Sequence, residues 1–395
     1  MTEQKVSSTV GRLSQSATLA MSQKCWEMQA QGIDVVNLSI GEPDFDTPMH
    51  IKEAAKAAID NNFSKYPPVP GYVSLREAIC GKLLKENGLS YTPEEIVVSN
   101  GAKQCICNTI FSLVNPGEEV IIPAPYWVSY PQMVRMADGV PVYVDAPIGQ
   151  DFKMTPEQLE AAITPRTKLL ILCSPSNPTG AVYSLSELEA LAAVILRHQD
   201  LFVLSDEIYE HINYIGTHAS IAAIPGMRER TVIINGVSKA YAMTGWRIGF
   251  LAAPKWIAAA ANRLQGQYTS GPGSISQKAA EAAFSGPQDC VEAMRLAFLR
   301  RRNLLVRLLR EIPGLEVNEP QGAFYLFPRV SAFFGKEGIA DASDLSMYLL
   351  EVAHVATVSG AAFGAPEYLR LSYAASDESL EEAARRMKVA LARLK

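Results

Sequence analysis

The chain has 395 residues, more than one compact core normally holds, so two structural units are expected. Apolar residues make up 48% of it and charged residues 19%, which excludes a largely disordered chain. With a net charge of −5 and no run of Lys and Arg to track a phosphate backbone, nucleic acid is not an expected partner.

The stretch from Met1 to Thr18 is polar and lacks the apolar segment of a signal peptide. No apolar run approaches the roughly 20 residues that span a bilayer, so no membrane contact is expected. The six cysteines (25, 80, 105, 107, 173 and 290) form no paired framework, which points to a reduced, cytoplasmic protein. Cys105 and Cys107 sit one residue apart on an expected helix and face different ways, so no metal site is expected there.

From about residue 95 the chain alternates short apolar, β-branched runs with helical patterns. Strands are expected at Glu95–Ser99, Glu119–Pro123, Pro141–Asp145, Lys168–Cys173, Leu201–Ser205, Thr231–Asn235 and Arg247–Ala252. Helices are expected at Thr155–Ile163 and Ser186–Arg197, with Thr155 and either Ser184 or Ser186 as N-caps. This alternation argues for an α/β unit whose mainly parallel sheet is covered on both faces. After Gly286 the texture changes. A long basic helix over Val291–Ile312, strand-like pieces at Leu315–Val317, Ala323–Phe327 and Leu369–Tyr373, and a last helix over Ser379–Leu394 read as a smaller α+β unit.

Ligands of an open parallel sheet bind beyond the carboxyl ends of its strands. Four expected strand ends run into polar segments: Asn100–Lys103, Ser174–Gly180, Ser205–Tyr209 and Gly236–Lys239. Lys239 is the pivot, because a lysine in a dry pocket has a lowered pKa and can form an imine with an aldehyde cofactor. Alone it would more often be a surface residue, but Arg247 eight positions on has the planar fork to clamp a phosphate. Asp206 and Tyr209 suit a pyridine-type cofactor, the acid holding the ring nitrogen protonated and the phenol donating to the ring oxygen. By themselves they would read as a helix-start acid and a packing tyrosine. Asn177 lies in an Asn-Pro-Thr-Gly turn, a weak signal in isolation. Gly101, Ala102 and Lys103 open a helix whose backbone N–H groups can receive a phosphate, without the spacing of a nucleotide-hydrolysing loop. Arg370, flanked by apolar residues in Tyr-Leu-Arg-Leu-Ser-Tyr373, suits a substrate carboxylate if it faces inward and solvent if it does not.

Taken together, these segments resemble the class I aminotransferases of fold type I, in particular the bacterial aspartate aminotransferases and their prephenate-accepting relatives. The resemblance runs from Ser-Ala-Thr18 to the last helix. It rests on Gly-Glu-Pro-Asp-Phe-Asp-Thr-Pro48, Tyr66 ahead of Gly71, Pro-Tyr-Trp-Val-Ser-Tyr130, Asn-Pro-Thr-Gly180, Ser-Asp-Glu-Ile-Tyr209, Ser-Lys239 and Met-Thr-Gly-Trp-Arg-Ile-Gly249.

The resemblance implies a large domain over residues 48–288, a small one from 1–47 with 289–395, and a homodimer with shared active sites. It implies pyridoxal 5'-phosphate on Lys239 as a Schiff base, with Asp206 at the ring nitrogen, Tyr209 and Asn177 at the ring oxygen, and Trp127 stacked on the ring. The phosphate would be held by Gly101, Ala102, Lys103, Ser238 and Arg247, and by Tyr66 of a second copy. Arg370, with Gly41 and Asn177, would take the α-carboxylate of an amino acid or 2-oxo acid. Lys103, Ser16, Thr18 and Arg12 match positions associated with a second carboxylate. Ser359-Gly360 departs from the family's usual Pro-Gly, which bears on the shape of that loop. The expected activity is ping-pong amino transfer between L-aspartate or glutamate and 2-oxoglutarate or oxaloacetate. Prephenate or aromatic acceptors, or a carbon–sulfur lyase on the same fold, are the alternatives. A ligand-sensing regulator would need a DNA-binding module that the short segment before Gly41 does not provide.

Overall fold

The structure is a computed structural model and describes residues 6–394, so residues 1–5 of the polar N-terminal stretch and Lys395 lie outside the described residues. The strands in chain order are β1 (Val36–Asn37), β2 (Ile96–Ser99), β3 (Glu119–Ala124), β4 (Val140–Asp145), β5 (Thr167–Cys173), β6 (Phe202–Asp206), β7 (Thr231–Gly236) and β8 (Gly249–Ala252). Four short ones follow: β9 (Tyr325–Leu326), β10 (Val355–Ala356), β11 (Val358–Ser359) and β12 (Leu369–Ser372).

β2 to β8 form one seven-stranded sheet in the order β2-β8-β7-β6-β5-β3-β4. All neighbours pair in parallel except β8, which runs antiparallel to both β7 and β2. Two reversals cancel, so β2 points the same way as β7, and the carboxyl ends of β2, β5, β6 and β7 share one sheet edge. Alternate residues cover both faces. In β5, Leu169 and Ile171 join a cluster containing Ile106 and Ile110 of the helix Ala102–Leu113, whereas Leu170 and Leu172 join one containing Leu188 and Leu191 of the helix Leu185–Ile195. This two-sided burial is why these strands read as nearly unbroken apolar runs.

Local signals place several boundaries. Thr155 and Ser184 both close capping boxes, with Gln158 and Glu187 respectively; Ser186 lies inside the helix that Ser184 caps. Glu95 falls in a 3₁₀ turn rather than in β2, because its carboxylate reaches back to the Thr92 N–H. Leu315–Val317 is not a strand, and only Glu316 makes an isolated antiparallel bridge, to Arg329. The structure adds helices that no capping or periodic signal announced, among them Ala17–Ala30 and Val73–Asn87.

Around the C-terminal part, β11, β12 and β9 make an antiparallel sheet, and β1 pairs in parallel with β10 through Val36 and Val355. Leu38 is buried in the same cluster as Leu345, Leu371 and Leu380, so the segment just after β1 packs with residues over 300 positions away in sequence. The helices Asp289–Arg310 and Asp377–Leu391 supply much of that cluster's wall. Ser359 caps the turn that follows it by accepting from the Ala361 N–H, and a Cβ at Gly360 would run into the Ala365 and Tyr368 carbonyls. The Ser-Gly pair thus makes a tight turn by a hydroxyl and a missing side chain.

Candidate active site

A cavity of about 310 Å³ opens at the carboxyl edge of the sheet. It is lined by Asp206 and Tyr209 beyond β6, Asn177 beyond β5, Ser238 and Lys239 beyond β7, and Ala102 and Lys103 beyond β2. Arg370 reaches it from β12 and Gly41 from the segment after β1.

Lys239 is partly buried, and its Nζ donates to the Gly41 carbonyl at 2.6 Å. Loss of solvent pushes its ammonium down to about 8; the Glu42 carboxylate opposes that shift, and the Arg370 and Arg247 charges reinforce it. Glu42 is held in turn by the Thr244 hydroxyl. Asp206 ends β6 with its carboxylate buried, and burial pushes it up to about 6. The Tyr130 hydroxyl donates to its Oδ2 at 2.6 Å, and the Ile208 N–H reaches Oδ1 at 3.3 Å. The hydroxyls of Tyr209 and Tyr325 lie 2.7 Å apart, and both rings are buried.

Arg370 is fully buried. Its Nη1 donates to Asn177 Oδ1 at 3.1 Å and its Nη2 to the Ser39 carbonyl at 2.6 Å, while its Nε has no partner among the described residues. Its guanidinium lies over the rings of Tyr325 and Phe363, at 4.7 and 5.0 Å from their centroids. The Lys103 ammonium sits 5.0 Å above the Trp127 ring, with its pKa lowered by desolvation. Gly101 caps the helix Ala102–Leu113 at φ +82°, a conformation that favours glycine, and a Cβ there would meet the Arg247 guanidinium.

Most of the expected site residues therefore converge. Gly101 stands just behind the lining residues, at the Arg247 guanidinium. Ser16 and Thr18 line the cavity and share a 2.8 Å hydrogen bond. Arg12 does not line it: its guanidinium meets Asp138 at 2.5 Å, because the short helix Ser8–Gly11 lies against the helix Tyr130–Met136. Tyr66 is 96% exposed and stands in a separate open recess with Pro272 and Ser274.

These residues fit pyridoxal 5'-phosphate on independent grounds. A lysine with a lowered ammonium pKa suits the aldehyde, and a buried carboxylate with no ion pair among the described residues suits a pyridinium nitrogen. The glycine-capped helix start beside Arg247 suits the phosphate.

Sequence reasoning passed over Tyr130, Tyr325 and Glu42. Tyr130 lies three positions after Trp127 in a motif already singled out, and Glu42 follows Gly41 in another. Tyr325 sits in an apolar run where nothing marks its hydroxyl as functional.

The chain is similar to known aminotransferases over nearly its whole length. The family model described as "Aminotransferase class I and II" matches residues 33–387. An aspartate/prephenate aminotransferase of Cereibacter sphaeroides is 50% identical, covering 97% of both chains. An aspartate aminotransferase of Geobacillus stearothermophilus is 49% identical, covering 97% of this chain and 98% of the relative. The crystal structure of the aspartate aminotransferase from Rhizobium meliloti superimposes with a TM-score of 0.96 at 44% identity, covering 99% of this chain and all of that one.

Proposed function

This chain belongs to the class I and II aminotransferases and is an aminotransferase of that fold; from that premise we propose that it moves the amino group of L-aspartate or glutamate to 2-oxo acids, using pyridoxal 5'-phosphate held at Lys239. We further propose a large domain over residues 48–288, a small one from 1–47 with 289–395, a homodimer to whose neighbouring site Tyr66 contributes, and action in the cytoplasm. Among the described residues no helix is long and apolar enough to cross a membrane.

The observation that carries the reading is Arg370, a fully buried guanidinium whose Nε has no partner among the described residues, in the same cavity as Lys239. Arg370 takes the α-carboxylate, with Asn177 Oδ1 fixing the plane of its fork. Lys103, with the Ser16 and Thr18 hydroxyls, takes the distal carboxylate. Bound pyridoxal 5'-phosphate supplies the carbonyl that condenses with amines and the ring that delocalises the charge left when the α-proton departs. Asp206, steadied by Tyr130, keeps a negative charge opposite the ring nitrogen. Lys239 Nζ, with its pKa near 8, is close enough to neutrality to take the α-proton and to hand it back. The Gly41 carbonyl, which accepts from Nζ, restrains its swing. Because one site serves donor and acceptor in turn, kinetics are ping-pong.

The test is visible absorption of the purified holoenzyme. L-Aspartate alone should convert the chromophore and 2-oxoglutarate should restore it, while Lys239→Ala should show no turnover. A chromophore indifferent to aspartate defeats the substrate assignment, and undiminished turnover in Lys239→Ala defeats the role of the lysine. Prephenate is the second acceptor to try in the restoring step, because relatives at this level of identity are named for it.

A further inference from the structure

Tyr325 belongs to β9 of the C-terminal part, yet it touches three separate elements of the site. Its hydroxyl is 2.7 Å from that of Tyr209, which follows β6. The face of its ring carries the Arg370 guanidinium at 4.7 Å. Its hydroxyl also lies directly against Gly41, where any Cβ would collide with it, and the Gly41 carbonyl is the one that accepts from Lys239.

We propose that Tyr325 is a positioning residue of the amino-transfer reaction: its hydroxyl donates to Tyr209 and so commits the single proton of Tyr209 to the oxygen of the bound pyridine ring. The proposal rests on the cofactor reading above. Proton counting supplies the direction. Each phenol has one proton and can also accept. Within the pair itself either hydroxyl can be the donor. Once Tyr209 spends its proton on the ring oxygen it can only accept, so Tyr325 must be the donor. A hydroxyl that accepts one hydrogen bond becomes a better donor of the next, most of all where water is excluded, as at these two buried rings.

This polarisation has a spectroscopic consequence. With pyridoxal 5'-phosphate held at Lys239, the visible absorption would report the protonation of the Lys239 nitrogen, which a negative charge on the ring oxygen would favour. A stronger Tyr209 bond takes up charge from the oxygen and lets the proton leave at lower pH. Removing the Tyr325 hydroxyl weakens that bond and moves the midpoint up.

The experiment is a pH titration of the visible absorption of holoenzyme for wild type, Tyr325→Phe, Tyr209→Phe and the double variant. Tyr325→Phe should raise the midpoint by roughly 0.1–0.7 pH unit, the ten to thirty per cent by which one hydrogen bond strengthens the next, applied to a charge-assisted bond. The double variant should titrate with Tyr209→Phe alone, because Tyr325 acts only through Tyr209. The KM for aspartate should stay near wild type, since the phenyl ring against Arg370 is kept. An unchanged midpoint in Tyr325→Phe overturns the proposal, as does a further shift in the double variant. A wild-type protein supplied with pyridoxal 5'-phosphate that shows no chromophore overturns the cofactor reading and this proposal with it, whereas a wild type that titrates beside an unmoved Tyr325→Phe overturns this proposal alone.

Discussion

Of the three buried acids in residues 206–210, Asp206 and Glu210 meet opposite fates. Asp206 lines the cavity with no ion pair on its carboxylate among the described residues, and burial pushes it up to about 6. Glu210, four residues on, is as deeply buried, and burial acts on it the same way. There, however, the Lys82 ammonium, seconded by His211 and His218, outweighs desolvation and holds the carboxyl well below its ordinary range. Asn87 and Asn235 complete the coordination of Glu210, at 2.9 and 2.8 Å. Glu207 lies next to His218 and accepts from Ser205 and Ser220. Burial alone does not set the charge of an acid; the partner does. One side of the segment is completed by the protein itself, and the other is left short of one cation, which is what a cofactor site needs. The acids and imidazoles on the completed side, Glu86 with Glu210 and His211 or Glu207 with Glu210 and His218, approach closely enough to bind a metal, yet Lys82 already supplies the positive charge there.

The contrast breaks hardest on the completed side. Glu210→Ala leaves the buried Lys82 with only the partly exposed Glu86 carboxylate, at 3.5 Å, as counter-charge and should cost about 3 kcal/mol in thermal or urea unfolding. The joint change Glu210→Leu with Lys82→Met should recover most of that loss; failure to recover would mean that the network acts through more than charge balance.

On the open side the sign reverses. In cofactor-free protein, Asp206→Asn should stabilise at pH 7 by roughly 2–3 kcal/mol, because it removes a charge the fold leaves unpaired, while amino-transfer activity collapses. The linked pH effect has a definite direction. The folded pKa of about 6 exceeds the unfolded value, so the contribution of Asp206 is fully present below about pH 4 and is lost as pH rises through 6. Unfolding midpoints of wild type and Asp206→Asn should therefore diverge across that window. Parallel curves would count against the burial argument.

The smallest effect sharpens the comparison. Tyr130→Phe removes the one side-chain donor on Asp206 and should cost about 1 kcal/mol of stability near neutral pH. It should also shift the Asp206 window upward, since that hydroxyl favours the charged form. Cofactor should dissociate more readily, as equilibrium dialysis would show.

Much of this was legible in the chain. Short, nearly unbroken apolar runs marked the strands of the main sheet, and Thr155 and Ser184 announced their helices by bonds made within three residues. Lys239, Asp206, Asn177 and Lys103 were legible because parallel strands must deliver their carboxyl ends to a common edge, so polar residues following apolar runs meet whatever the loops between them do. Tyr325 against Tyr209, Tyr130 on Asp206, Lys82 on Glu210 and Arg12 on Asp138 were not legible, with partners 116, 76, 128 and 126 residues apart. A local pattern records which face of an element is apolar. Which side chain of another element arrives at that face depends on how the elements pack, and in this protein that packing decided which buried acid is paired and which is left open.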